Sequence, residues 1–149
     1  GADLIVSAVA TYKKYGGPAI IVDFGTATTI TVVTEHGDYL GGAIIPGIEL
    51  ASKALFGGAA KIPSFRLEMP PRVIGRSTEH AVQSGLIFGY ASLVDGMIER
   101  MRLELELPDC KVITTGGQAN IIAPASKHIK KVDPFLLLDG LKFLYDMNN

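Results

Sequence analysis

The chain has 149 residues, 48% of them apolar and 19% charged, with 14 basic against 15 acidic side chains and a formal net charge of −1. This is one domain's worth of foldable polypeptide, and the balanced charge offers no field for a polyanion, which argues against nucleic acid as a partner. A single cysteine, Cys110, leaves no internal disulfide framework and fits a reducing cytoplasm; no apolar run reaches the roughly 20 residues of a membrane span, and no signal-peptide pattern is present.

In chain order, "GADLIVSAVATYKKYGG" predicts a helix with Leu4, Ile5, Ala8, Val9 and Tyr12 on one face and Asp3 at the N-cap. Gly16, Gly17 and Pro18 stop it. "AIIVDF" (19–24) is a short apolar run bounded by turn residues, the pattern of a buried strand. In "ITVVTEHGDYLGGAII", two β-rich runs flank "EHGD" and predict a hairpin, with His36 at its tip. "PGIELASKALFGG" predicts a short helix, and the three prolines of residues 61–76 predict an irregular crossing segment.

From Thr78 to Leu105 the periodicity predicts one long helix, with Val82, Leu86, Tyr90, Leu93, Met97, Met101 and Leu105 on a single face. Its stripe is core or a face for a partner helix. Thr78 is the candidate N-cap and His80 lies in the first turn. "CKVITTGG" predicts a second buried strand; short helices near Gln118–Ala125 and Leu138–Met147 complete the pattern, with "KHIKK" (127–131) as a solvated helix end. The order αβββααβαα predicts an α/β domain over residues 1–149: a mixed sheet with packed helices and no internal repeat.

Two segments, "IIVDFGTATT" and "KVITTGGQAN", share one design: an apolar strand running into small residues and glycine. Such loops gather at one end of an α/β sheet, where ligands bind. Gly25, Gly116 and Gly117 let backbone N–H groups approach a phosphate, and Thr26, Thr28, Thr114 and Thr115 offer hydroxyls. Asp23 repels phosphate, but its hard oxygens suit a cation or a water beside one. Taken alone, D-x-G-T and T-G-G are both more often ordinary turns. There is no P-loop motif and no G-x-G-x-x-G, and His36, His80, His128 and Cys110 show no metal-ligand spacing.

The order of the motifs says more. "GAD" opening a helix, "VDFGTATT", "GGAIIPG", "AAKIP", "IGRST", "QSG" and "TTGGQA" follow one another in a succession that resembles the C-terminal half of type III pantothenate kinases, members of the acetate kinase/sugar kinase/Hsp70/actin superfamily. The resemblance implies a ribonuclease-H-like (actin-like ATPase) domain, with ATP held in a cleft between two such domains. It further implies a cytoplasmic homodimer, a monovalent cation (potassium or ammonium), magnesium with ATP, and conversion of pantothenate to 4'-phosphopantothenate, the first step of coenzyme A synthesis.

By the same resemblance Asp3 matches the proton acceptor. Gly1, Ala2, Asp3 and Leu4 match the pantothenate-binding segment, with Thr78 as a further contact. Asp23 matches the cation ligand, Gly25 and Thr26 the ATP loop, and Gly116 and Gly117 the adenosine-side glycines. Read by its local sequence alone, Asp3 is more often an ordinary helix cap.

Three departures stand out. The family's N-terminal Asp-x-Gly-Asn-Thr phosphate loop is absent, so the chain corresponds to one half of a two-domain kinase. Leu4 stands where many members carry Arg, with Lys61 and Arg76 as candidate replacement cations. Ala59 stands where Thr is usual. The alternatives are a regulatory or binding relative of the same fold and another small-molecule kinase of the superfamily.

Overall fold

In the computed structural model, which describes residues 2–58 and 61–148, four strands form one sheet. They are β1 (Ala19–Phe24), β2 (Ala27–Val33), β3 (Tyr39–Pro46) and β4 (Lys111–Thr115), in the order β3-β2-β1-β4. β1 pairs antiparallel with β2, from Ala19 opposite Val33 to Phe24 opposite Thr28, and parallel with β4. β2 and β3 form the predicted hairpin. The sheet is therefore mixed, and the ends of β1 and β4 point the same way.

β1 is apolar on both faces because helices cover both. Ile20, Val22 and Phe24 belong to a core completed by Ile30, Val32, Val94 and Ile98; Ala19 and Ile21 belong to a second core with Ala8, Ala10, Val33 and Leu136. The first face carries α2 (Ile48–Gly57), α3 (Thr78–Leu105), α4 (Ala119–Ile122) and a 3-10 turn at Ala123–Ala125. The second carries α1 (Ala2–Tyr15) and α5 (Leu136–Met147).

α3 spans the predicted residues and is about 42 Å long at the usual rise. Its best 18-residue window reaches a mean hydropathy of 1.2, long and apolar enough to cross a membrane by length and composition. Its burial is that of a core helix: Ile87, Ala91, Val94 and Ile98 are buried beside Val82 and Leu86, whereas Leu93, placed by periodicity on the inner face, is exposed. Tyr90 donates its hydroxyl to the Pro46 carbonyl at 2.6 Å, tying the helix to the end of β3. Residues 61–76 wrap its first turns, with Gln83 donating to the Arg66 carbonyl and Ser84 to the Val73 carbonyl.

The N-cap of α3 is Ser77, whose Oγ accepts from the His80 N–H at 3.1 Å; Thr78 is the first helical residue, which corrects its assignment as the cap. Asp3 likewise lies within the first turn of α1, not at its cap. The "KHIKK" stretch is irregular chain, not a helix end. Asp95 of α3 fixes it by accepting from Ser126 Oγ (2.5 Å), Lys127 N–H (2.9 Å) and His128 N–H (3.2 Å). His128 lies between Arg102 and Glu99, at 3.2 and 2.9 Å from its two ring nitrogens.

α1 is where periodicity misleads most. Ile5 and Tyr12 are exposed, while Val6, Ser7, Ala10 and Thr11 are buried. Val6 and Ala10 meet α5, where a Cβ added at Gly140 would lie 2.6 Å from the Val6 carbonyl oxygen. At the far end of this helix pair Lys14 bridges Asp133 (2.8 Å) and Asp139 (2.6 Å), and the Tyr15 hydroxyl donates to Asp133 at 2.7 Å. Burial draws the Asp133 carboxyl upward, but the Lys14, Tyr15 and Phe135 N–H contacts together hold it below its ordinary value of 3.8.

Three outcomes follow for stability. Gly140→Ala forces α5 away from α1 and is expected to cost about 1–3 kcal/mol in a urea titration, as overpacking does. Gly89→Ala, mid-helix with nothing near the added carbon, is expected to gain about 0.5–1 kcal/mol. A carboxylate with a lowered native pKa stabilises the fold fully above its unfolded value, and that stabilisation is lost as the pH falls through the lowered value. Asp133→Asn should therefore lower the melting temperature at pH 7 and flatten its decline below pH 4.

Candidate active site

Alternation along β1 decides which way its carboxylate points. Ile20, Val22 and Phe24 face α3, so Asp23 faces α1 together with Ala19 and Ile21. α1 and β1 are joined by a three-residue turn and run antiparallel, so the first turn of the helix returns over the end of the strand where Asp23 stands. Burial raises the Asp23 carboxyl above its ordinary value, and the charge of Asp3 raises it further. Asp3 and Asp23 are thus in electrostatic reach of each other. Among the described residues no cation or hydrogen-bond donor pairs with the Asp23 side chain. A half-buried carboxylate left this way is costly, and it marks the end of β1 as a candidate site.

The residues that follow turn the chain tightly into β2, so "VDFGTATT" is a hairpin corner in geometry. A Cβ on Gly25 would sit 3.3 Å from Asp23 Oδ1, which links the carboxylate to the turn. The corner also lines a cleft of about 340 Å³ together with Gly117, Gln118 and three residues of α2, Glu49, Leu50 and Lys53. The α2 wall is close because Gly47 abuts the turn: a Cβ there would lie 2.1 Å from the Thr26 carbonyl oxygen. The opposite wall is close for a similar reason. Gly116, at φ +105°, would place a Cβ 2.5 Å from the Phe24 backbone, and the Gln118 N–H donates to the Phe24 carbonyl at 3.1 Å. Gln118 Nε2 then donates to Glu49 Oε1 at 2.6 Å, joining the two walls.

The structure therefore gathers Asp3 and Asp23 on one side of the end of β1, and Gly25, Thr26 and Gly117 around the adjoining cleft. Gly116 is packed beneath Phe24 and does not line the opening. Of the four candidate hydroxyls only Thr26 is exposed; Thr28, Thr114 and Thr115 are buried. The hydroxyls of Thr28 and Thr114 lack partners among the described residues, and nothing in the fold accounts for them. Leu4 is half-buried on α1. Thr78 lies on the helix that covers the opposite face of the sheet from Asp3. Gly1 and Ala59 lie outside the described residues, as does the side chain of Ala2.

Lys61, at φ +53°, and Arg76 are both absent from the lining of the cleft; the cation found there is Lys53. Glu49, Lys53 and Gln118 escaped the motif reading. Their available signal was the spacing of Glu49 and Lys53, one helical turn apart just after Pro46-Gly47, and the position of Gln118 directly after two glycines.

A monovalent cation suits this donor set. Asp23 supplies a hard oxygen, and a positive ion there would relieve the repulsion from Asp3. Among the described residues there is no group of three or more His, Cys, Asp or Glu that could cage a divalent metal.

The model of the type III pantothenate kinase family matches residues 1–100. The type III pantothenate kinase of Roseiflexus castenholzii is 50% identical over 148 residues, covering 99% of this chain and 58% of that protein. The one from Myxococcus xanthus is 48% identical over 149 residues, covering 100% and 58%. Both relatives are longer: this chain spans somewhat more than half their length. Among solved structures, a Campylobacter jejuni protein described as a Baf family transcriptional activator superposes with a TM-score of 0.66 at 24% identity, over 97% of this chain and 64% of that one. The Clostridium difficile activator of 2-hydroxyisocaproyl-CoA dehydratase, with ADPNP bound, superposes at 0.55 and 12% identity, over 98% and 68%. These likenesses carry the fold alone: a mixed sheet with helices packed on both faces. Motif order, fold and family match agree, and this chain belongs to the type III pantothenate kinase family.

Proposed function

We propose that the chain is the C-terminal part of an ATP-dependent kinase that converts pantothenate to 4'-phosphopantothenate. The observation that carries this reading is the pair of neighbouring carboxylates, Asp3 and Asp23, beside a cleft lined by Gly25, Thr26 and Gly117. Phosphoryl transfer asks a protein mainly for positioning and charge screening, and these residues divide that work.

Asp3 is exposed in the first turn of α1 and accepts the proton of pantothenate's primary hydroxyl as its oxygen attacks the γ-phosphorus. The new O–P bond forms as the bond to the β-phosphate oxygen breaks, and ADP departs. Gly25 and Gly117 allow backbone N–H groups near the nucleotide phosphates, and the Thr26 hydroxyl donates to one of them. Asp23 would hold a potassium or ammonium ion, which would supply positive charge against the two carboxylates and the phosphates. Magnesium would enter with ATP and supply further positive charge to the phosphates.

The additional length of the relatives supplies the other side of the phosphate cradle. Asp3 and Thr78 arise from opposite faces of the sheet, and a homodimer in which Thr78 of one copy reaches the pantothenate of the other supports both assignments at once. The setting is cytoplasmic, where pantothenate and ATP meet.

The test is ADP release by the full-length protein with pantothenate, ATP and potassium; turnover no faster than without pantothenate rejects the reading. Asp3→Asn should lower kcat by about 10²–10⁴-fold with little change in either KM. Asp23→Asn should abolish activation by potassium. It should also raise the melting temperature of the nucleotide-free protein at pH 7, because it removes a charge the fold disfavours. That gain should shrink as the pH falls towards 3.8, where the native carboxyl is protonated and costs nothing.

A further inference from the structure

α5 packs on α1, and both of its sides are apolar. Leu136 and Gly140, one turn apart, face inward: Leu136 is fully buried in the second core, and Gly140 lies against Val6 and Ala10. Leu138 and Leu141 lie on the other side, 63% and 50% exposed, and Tyr145 comes next along it. Helical geometry makes this one stripe, since residues 138, 141 and 145 fall within about 60° of each other and roughly opposite 136 and 140. A helix that is apolar all round is one that is covered all round. α1 and the second core cover one side of α5; the other is open.

We infer that the open side of α5 is the seat of the N-terminal length that the kinase reading adds to this chain. This rests on the kinase reading above and adds to it the surface by which the two parts hold each other. Length, position and charge favour this occupant. The chain spans 58% of the Roseiflexus and Myxococcus relatives, so their further length is enough for a second body. Gly140 against Val6 and Ala10, with Asp139 against Lys14, makes the two helices antiparallel, and α5 runs back toward the first turn of α1. Chain joined ahead of α1 therefore starts beside the stripe, which keeps it there at high effective concentration. α5 also carries Asp139 and Asp146 against the single Lys142, with no basic rim of the kind that holds a helix on an anionic membrane.

With its open side covered, α5 and α1 form the layer between two bodies. Asp3 stands in that layer, at the end of α1 where the added length joins, so one contact fixes its place relative to both.

The experiment uses the full-length protein carrying Leu138→Cys or Leu141→Cys, with N-ethylmaleimide as the probe and peptide mass spectrometry as the readout. Cys110 is buried and burial pushes its thiol up, so it adds little background. A side chain under a packed surface is reached only on local opening, so both introduced thiols should label at least about tenfold more slowly than in urea-unfolded protein. The slowing should survive dilution and should need no lipid. Labelling at the unfolded rate overturns the inference. Protection that falls away as a dimer dissociates gives the stripe to a second copy and overturns it too. So does protection that appears only with phosphatidylglycerol vesicles, which gives the stripe to a membrane.

Stability supplies a second measurement. Leu138→Asp should lower the melting temperature of the full-length protein, because it sets a carboxylate against apolar surface, and Leu138→Met should not. At a solvent-exposed position the exchange to Asp is close to neutral, so an unchanged melting temperature overturns the inference.

The two readings fail separately. Protected thiols in a protein that releases no ADP with pantothenate overturn the proposed activity and uphold the seat on α5. Rapid labelling of a protein that turns over does the reverse.

Discussion

One carboxylate, without a partner among the described residues, constrains everything around the site. Asp23 stands near the end of a strand that is apolar on both faces, where burial alone disfavours its charge, and Asp3 adds a second negative group within reach. A fold selected for stability alone would place a neutral or apolar residue there. The rest of β1 compensates: Ile20, Ile21, Val22 and Phe24 are fully buried, each contributing about 1.5–3 kcal/mol of side-chain burial. The strand is anchored well enough to hold a charge that no partner among the described residues balances.

From that strand the cleft follows by steric contact. Three segments meet at the end of β1: the Gly25–Thr26 corner, the entry to α2 at Gly47 and the loop at Gly116. At the last two, a single added carbon would collide with backbone of the neighbouring segment, so the walls cannot separate without losing the contact. Between them the Glu49–Gln118 hydrogen bond spans the opening. Positioning of this kind suits phosphoryl transfer, where the donor and acceptor oxygens must be held in line and little covalent chemistry is asked of the protein.

Much of this was legible in the sequence, and the gaps have physical causes. The strands, the hairpin and the bounds of the long helix could be read because turn residues punctuate the chain and apolar spacing persists between them. Most of the buried face of α1 could not: Ala8 was placed correctly, but Ala10 packs so closely on α5 at Gly140 that only small residues fit, and these carry little hydrophobic signal. In α3 a single stripe was expected, but the sheet, α2, α4 and the crossing segment all pack on the helix, so Ile87, Ala91, Val94 and Ile98 are buried as well. At the candidate site, the gathering of Asp3, Asp23 and Thr26 at the end of β1 could be expected from motif order. The contributions of Glu49, Lys53 and Gln118 could not, since they depend on how closely Gly47 approaches Thr26, and no local pattern encodes that distance.

The division of labour along α1 connects stability to chemistry. Its last turn is fixed by Lys14 between Asp133 and Asp139 and by Tyr15 on Asp133, while the Tyr15 carbonyl accepts from Lys111 at the start of β4. Its middle is held against α5 at Gly140. Its first turn carries Asp3, about 16 Å of helical rise from the ion pairs. A helix of 14 residues is stiff over that length, so any tilt at the anchored end appears at Asp3 as a displacement relative to Asp23. Phosphoryl transfer is sensitive to shifts of about 1 Å in the position of a reacting group. The ion pairs at Lys14 touch nothing in the cleft, yet they set where Asp3 stands relative to the strand that carries its neighbouring carboxylate.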